Sequence, residues 1–220
     1  MSQPFILHGA IRSSAAWRVR IVLHLKGLAF EERFLDLNRG EHQRMEYRKV
    51  NPQMLVPALV APDGTLVTQS MAIMEYLDET APGPRVLPAD AAGRARVRSL
   101  SQMVACDIHP INNLRVRNHV LDLMAHDSGA QSAWMDKWLS AGLDALEARL
   151  AEDRETGAFC HGKSPTMADA CLVPQLNNAR ATNRELSDWP NILRIAASCE
   201  KLAAFAETSP AKLQGRESGR

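Results

Sequence analysis

Two adjacent hydroxyls follow an arginine in Arg12-Ser13-Ser14, between a short apolar run, Phe5-Ile6-Leu7, and a segment in which Trp17, Ile21 and Leu25 recur at helical spacing. A strand-to-helix turn presents unpaired backbone N–H groups and the positive end of the helix dipole, and so favours an anion. A free thiol is mostly protonated at neutral pH, with a pKa of about 8.5. A hydroxyl donating to sulfur at such a turn shifts that balance towards the thiolate. The same serines are natural helix caps, because a Ser before a helix accepts a hydrogen bond from a first-turn N–H. Gln69-Ser70 repeats the pattern: Ser70 is predicted to cap a helix carrying Ile73, Met74 and Leu77, and a helix start of that kind can also receive a carboxylate.

The surrounding elements alternate in type. Phe5–Leu7 reads as a strand, and the helix after Ser14 runs to about Lys26 and is closed by Gly27. Residues 30–35 read as a second strand and 40–50 as a short polar helix or loop. Residues 57–61 and 65–68 flank Asp63-Gly64, a hairpin turn signal. The order βαβ-(α)-ββα implies an α/β domain of thioredoxin-like type with a mixed four-stranded sheet. A proline-rich break at 81–88 cannot continue the preceding helix and reads as a stiff linker.

Beyond the break only helical periodicity remains. Gly93 to about Met124 is one long or broken helix with Pro110 as a kink. Gln131 to about Leu150 is another, with Trp134, Trp138, Leu139, Leu143 and Leu146 on its apolar stripe. Thr166-Met167-Ala168-Asp169 is a capping box with Asp in the acceptor position, starting a helix through Ala179. A last helix runs from about Pro190 to Thr208. The expected division is 1–82 thioredoxin-like, 83–88 linker, 89–212 all-helical, and 213–220 a frayed polar tail.

Composition limits the function classes. A net charge of +1 over 220 residues gives no pull towards nucleic acid or a membrane surface. The four cysteines form no C-x-x-C pair, so neither a redox dithiol nor a zinc site is implied, and a reducing cytoplasm fits them. No leader and no membrane-length apolar run is expected. Arg94, Arg96 and Arg98 read as a solvated helix face, and Arg18 and Arg20 as structural, pairing with the linker or a partner subunit.

The stretch Ser13-Ser14-Ala15-Ala16-Trp17-Arg18-Val19-Arg20-Ile21 resembles the signature of the zeta-class glutathione transferases, Ser-Ser-Cys-x-Trp-Arg-Val-Arg-Ile, with Ala15 in place of the family cysteine. Asn51-Pro52, Val56-Pro57-Ala58-Leu59, Gln69-Ser70-x-Ala72-Ile73, Ile108-x-Pro110 with Asn113, and Thr166 to Gln175 match the family pattern in order and spacing. The resemblance covers residues 5–210 and implies the glutathione transferase fold, glutathione as cofactor and a homodimer. It further implies that glutathione is held by Ser13, Ser14, Ala15, His42, Val56, Pro57, Gln69, Ser70, His109 and Asn113. Val56-Pro57, which alone reads as a trans proline opening a strand, becomes a cis peptide.

The family includes isomerases of maleylacetoacetate, and bacterial relatives act on maleylpyruvate. The activity implied is cis–trans isomerisation of a small enediacid by reversible addition of the glutathione thiolate. Ser13, then Ser14, would activate the thiol, with Arg12 beside them. Arg12, His109, Arg115 and Arg180 would bind the dianionic substrate; the relatives carry an arginine at position 114, where this chain has Leu114 followed by Arg115. Two other readings use the same residues: a transferase that conjugates or dehalogenates small electrophiles such as α-halo acids, and a non-catalytic binding module.

Overall fold

The computed structural model describes residues 3–182 and 185–217. It divides into two compact units, residues 1–87 with 200–220, and residues 88–199. In the first unit β1 (Phe5–Gly9), β2 (Phe30–Phe34), β3 (Ala58–Val60) and β4 (Leu66–Thr68) form one sheet in the order β2-β1-β3-β4. β1 runs parallel to β2, with Leu7 opposite Glu32, and antiparallel to β3, with Leu7 opposite Leu59. β3 and β4 pair antiparallel around the Asp63-Gly64 turn, where Thr65 N–H donates to Asp63 Oδ1 at 2.9 Å. The mixed sheet is the one expected.

Helix α1 (Ser14–Leu25) is buried over most of its circumference. Gly27, at φ +66°, ends it in a Schellman turn: Gly27 N–H donates to His24 O and Leu28 N–H to Leu23 O. Two arginines in so buried a helix require partners. Arg20 makes a two-pronged pair with Glu32 (2.8 and 2.7 Å) and also donates to the carbonyls of Thr208 (3.2 Å) and Ala10 (3.4 Å). Arg18 donates to Ser70 Oγ at 3.3 Å. These hydrogen bonds run to β2, to α3 (Ser70–Thr80) and to the C-terminal stretch, where the linker or a partner subunit was expected. Lys26 instead meets the linker, donating to Pro84 O at 3.1 Å. Asp78, buried on α3, holds Arg85 Nε at 2.8 Å and Val86 N–H at 2.6 Å.

The last described residues differ from the sequence reading. The helix expected from Pro190 to Thr208 is two, α9 (Pro190–Glu200) and α10 (Ala203–Ala206), and a further helix, α11 (Pro210–Glu217), reaches into the predicted frayed tail. The stretch from Glu200 groups with the first unit, where Trp17 Nε1 donates to Thr208 Oγ1 at 2.9 Å.

The second unit is helical throughout. The stretch predicted as one long or broken helix is four segments: α4 (Ala91–Gln102), a π-helical stretch (Met103–Ile108), α5 (His109–Asn112) and α6 (Leu114–Leu123). Asp90 caps α4 by accepting from Gly93 N–H at 2.7 Å. Helix α7 (Ser128–Glu152) buries Leu139, Leu143, Leu146 and Leu150. Trp138 leaves the predicted stripe: it is exposed, stacks edge-on against Trp134, and lies under the Lys137 ammonium. Helix α8 (Met167–Arg180) starts at the predicted capping box, and nearly all of its residues are buried. Arg96 does not belong to a solvated face. It is a hub joining distant segments, donating to Asp153 (2.9 Å), Cys160 O (2.7 Å) and Thr156 Oγ1 (2.8 Å). Among the described residues no helix is long and apolar enough to cross a membrane.

Candidate active site

Ser13 occupies the N-cap of α1 with extended backbone angles, and its N–H donates to Ala10 O at 3.1 Å. Its Oγ accepts from Ala16 N–H at 3.2 Å. With a lone pair committed to the helix, the hydroxyl proton is left to point outward as a donor. Ser14 and Ala15, the next two residues, are buried at 6% and 8% exposure, so Ser13 presents the more accessible hydroxyl. Arg12 is exposed in the turn just before it.

The peptide between Val56 and Pro57 is cis, as the resemblance implied. Tyr47 Oη and Asn51 Nδ2 both donate to Leu55 O, at 2.7 and 2.6 Å, and so brace the chain that enters this turn. Burial pushes the Tyr47 phenol up to about 12, so it remains a donor at any working pH. The sequence reading missed Tyr47; its signal was a lone aromatic within a polar segment.

Ser70 was predicted to be the N-cap of α3 but stands one residue later, as the first helical residue. Gln69 is the N-cap instead, at φ +72° and ψ 119°, a conformation that costs a non-glycine residue about 1–3 kcal/mol. Two hydrogen bonds hold it there. Gln69 Nε2 donates to Gln53 Oε1 at 2.7 Å, and Arg18 holds Ser70 Oγ from beneath. A buried guanidinium under a helix N-terminus adds to the dipole and makes this end of α3 a receptor for a carboxylate. His42 lies in the 3₁₀ turn Glu41–Gln43. Its Nδ1 is buried without a hydrogen-bond partner, and burial lowers its pKa below the ordinary 6.5. A buried, unmatched ring nitrogen in an otherwise paired segment marks a position for a ligand's polar group.

In the second unit, His109 opens α5 directly after the π-helical stretch, a local irregularity common at functional sites. A Cβ on Gly142 would overlap the Ile108 side chain, so only glycine lets α7 lie against this segment. Trp134 Nε1 pins the turn by donating to Ile111 O at 3.1 Å. Asn113 spends its side chain as the N-cap of α6, accepting from Val116 N–H at 3.1 Å. Arg115 and Arg180 are both exposed. Arg180 ends α8.

A thioredoxin-like unit carrying a hydroxyl at a helix start, a cis-proline turn and a strained helix cap defines the glutathione S-transferase fold. The family model for the glutathione S-transferase N-terminal domain matches residues 12–80, and that for the C-terminal domain matches residues 130–205. A maleylpyruvate isomerase from Ralstonia sp. is 44% identical over 205 residues, 93% of this chain and 96% of that protein. The holo structure of maleyl pyruvate isomerase, described as a bacterial glutathione S-transferase of the zeta class, superposes with a TM-score of 0.90 at 42% identity, covering 94% of this chain and 97% of that one. The maleylacetoacetate isomerase of Methylobacterium extorquens AM1, with malonate and glutathione bound, gives a TM-score of 0.91 at 39% identity over the same shares. The chain belongs to the zeta class of the glutathione S-transferases.

Proposed function

We propose that this protein is a glutathione-dependent isomerase that converts a maleyl-type enediacid, maleylacetoacetate or maleylpyruvate, to its fumaryl form. The observation that carries the reading is Ser13: its Oγ is committed to Ala16 N–H, which leaves its proton for a sulfur. Bound glutathione supplies a thiolate that adds reversibly to the activated double bond.

Ser13 and the first N–H groups of α1 hold that sulfur in its charged form. The α3 start, with Gln69, Ser70 and Arg18 beneath, receives a carboxylate of the tripeptide. The backbone of Val56 next to Pro57 pairs with its centre, and His42 receives its far end. Arg12 takes a carboxylate of the substrate. The roles that the family pattern gives to Ser14, Ala15, His109, Asn113, Arg115 and Arg180 are part of the same proposal. So are the homodimer, the cytoplasmic location and the domain division at the 83–88 linker. Turnover of either cis-acid with glutathione by the purified protein tests the whole reading, and no turnover of either overturns it.

Ala15 is consistent with this chemistry, because the nucleophile belongs to glutathione. Ala15→Cys is therefore expected to leave kcat/KM within roughly threefold of the parent, since the added sulfur fills little extra space and supplies no step. A rise of tenfold or more in steady-state assays would return the cysteine to the mechanism.

His42 gives a pH-resolved expectation. Burial lowers its pKa below 6.5, so the neutral imidazole predominates at and above that pH. The native protein then binds fewer protons here than the unfolded chain once pH falls below 6.5. The stability from this group is full above 6.5 and is lost as pH falls through the lowered value. His42→Ala is expected to raise the KM for glutathione roughly fivefold with kcat nearly unchanged, a loss of one neutral hydrogen bond. The ratio of parent to variant KM should stay flat between pH 8 and 6.5.

A further inference from the structure

The second unit contains a cavity of about 500 Å³ between α6, α7 and the end of α8, lined among others by Arg117, Gln131, Ser132, Met135, Asp136 and Thr182. None of these residues has a role in the reading above. Arg117 carries the inference. Its Nε is buried without a hydrogen-bond partner among the described residues. A guanidinium is charged at every working pH, and a buried donor left unmatched is costly, so the position calls for an anion.

The neighbours are arranged to leave that place open. Gln131 Nε2 donates to the backbone carbonyl of Arg117 at 2.7 Å, which fixes α6 against α7 while sparing the guanidinium. Asp136 lines the same cavity and accepts from Ser140 Oγ at 3.4 Å. The Ser132 hydroxyl supplies a further donor at the wall, while Thr182 Oγ1 donates its proton to Ala179 O at 2.7 Å and presents only lone pairs. Ala133, Met135 and Ala181 supply apolar surface. A planar fork beside hydroxyls and a small apolar wall fits one chemistry: a carboxylate on a short apolar stem.

We propose that this cavity is a second ligand site, taking a small organic monocarboxylate on Arg117. The proposal is independent of the isomerase reading and is tested without glutathione. Full-length protein is titrated with benzoate and, in parallel, with benzyl alcohol, which has the same stem but no charge, while backbone amide shifts are followed. Benzoate is expected to move amides at 117, 131–136 and 181–182. Benzyl alcohol is expected to bind roughly tenfold more weakly or worse, the worth of a charge-assisted hydrogen bond.

Arg117→Met should abolish those shifts. Arg117→Lys, which keeps the charge but loses the fork, should recover part of the affinity. Both variants should turn over cis-acid at the parent rate. Shifts confined to other residues, equal binding of the alcohol, or an unchanged benzoate titration in a folded Arg117→Met protein would each overturn the site.

Discussion

Ser13→Ala is expected to lower kcat/KM by about 10²- to 10³-fold, the usual effect of removing one preorganised donor from a charge that catalysis depends on. The structure separates this effect from unfolding. Among the described residues the Ser13 side chain makes one hydrogen bond, from Ala16 N–H, and loss of such a cap costs about 1 kcal/mol. In a protein of this size that lowers Tm by about 2–4 °C. The rate loss should come with a change in the bound thiol itself. Without the donor, the thiolate loses stabilisation, so the apparent thiol pKa rises towards the free value of about 8.5 and the pH–rate profile moves to the alkaline side. Thiolate absorbance in the ultraviolet, followed against pH for parent and variant with glutathione bound, reads this directly. Ser13→Thr, which keeps the hydroxyl, should restore most of the activity. Ser14→Ala, at a buried position, should cost less than tenfold in rate. Retention of more than a tenth of parental kcat/KM by Ser13→Ala would remove Ser13 from the mechanism.

The largest stability effect is expected at Asp169, in the first turn of the helix that ends at Arg180. It is fully buried, and its carboxylate accepts from Cys160 N–H (2.7 Å), Thr166 N–H (2.7 Å) and Thr166 Oγ1 (2.8 Å). Burial holds its carboxyl above the ordinary value and, together with the nearby Asp169 charge, holds the Cys160 thiol well above its own. Asp169→Ala leaves three buried donors without an acceptor, each costing about 1–3 kcal/mol. The sum, about 3–9 kcal/mol, should appear as a fall in Tm of roughly 6 °C or more by calorimetry. Asp169→Asn keeps one acceptor oxygen and should lie between. A fall of less than 3 °C for the alanine variant would show that the start of α8 is held by its apolar packing alone. Because this is a folding effect, kcat/KM per folded molecule should change little.

What was legible in the sequence was mostly local. Gly27 stops α1 because the Schellman turn needs a positive φ at one residue, and the Asp63-Gly64 turn and the Thr166–Asp169 box carry their chemistry within four residues. What was not legible depended on partners far along the chain. Ser70 has every property of a helix cap, yet Gln69 takes that place, while Arg18 and Gln53 hold Ser70 and Gln69 from other segments. Arg96 looks like its neighbours Arg94 and Arg98 until the chain returns 57 residues later with Asp153. Periodicity put Trp138 with the leucines of α7, but an amphipathic ring at the edge of a stripe can turn outward at little cost. Among the proposed site residues, Ser13, Val56-Pro57 and Gln69 were picked out through the family pattern. Tyr47, Asn51 and Gln53, which brace them, carry no signature of their own.

The hydrogen bonds from Trp17 and Arg20 to Thr208 have a consequence for how such chains can be recombined. A crossover at the proline-rich break looks like a clean seam, with one ligand-binding module on each side. It is not, because the helix capped by the serine proposed to activate the thiol is fastened by Thr208, encoded more than a hundred and eighty codons downstream. A chimaera that joins residues 1–87 of this protein to the helices of a relative inherits a foreign clasp on α1. For the transplanted half to arrive intact, the segment around Thr208 must travel with it, so the natural unit of exchange is the discontinuous one, its two pieces separated in the gene by the whole helical unit.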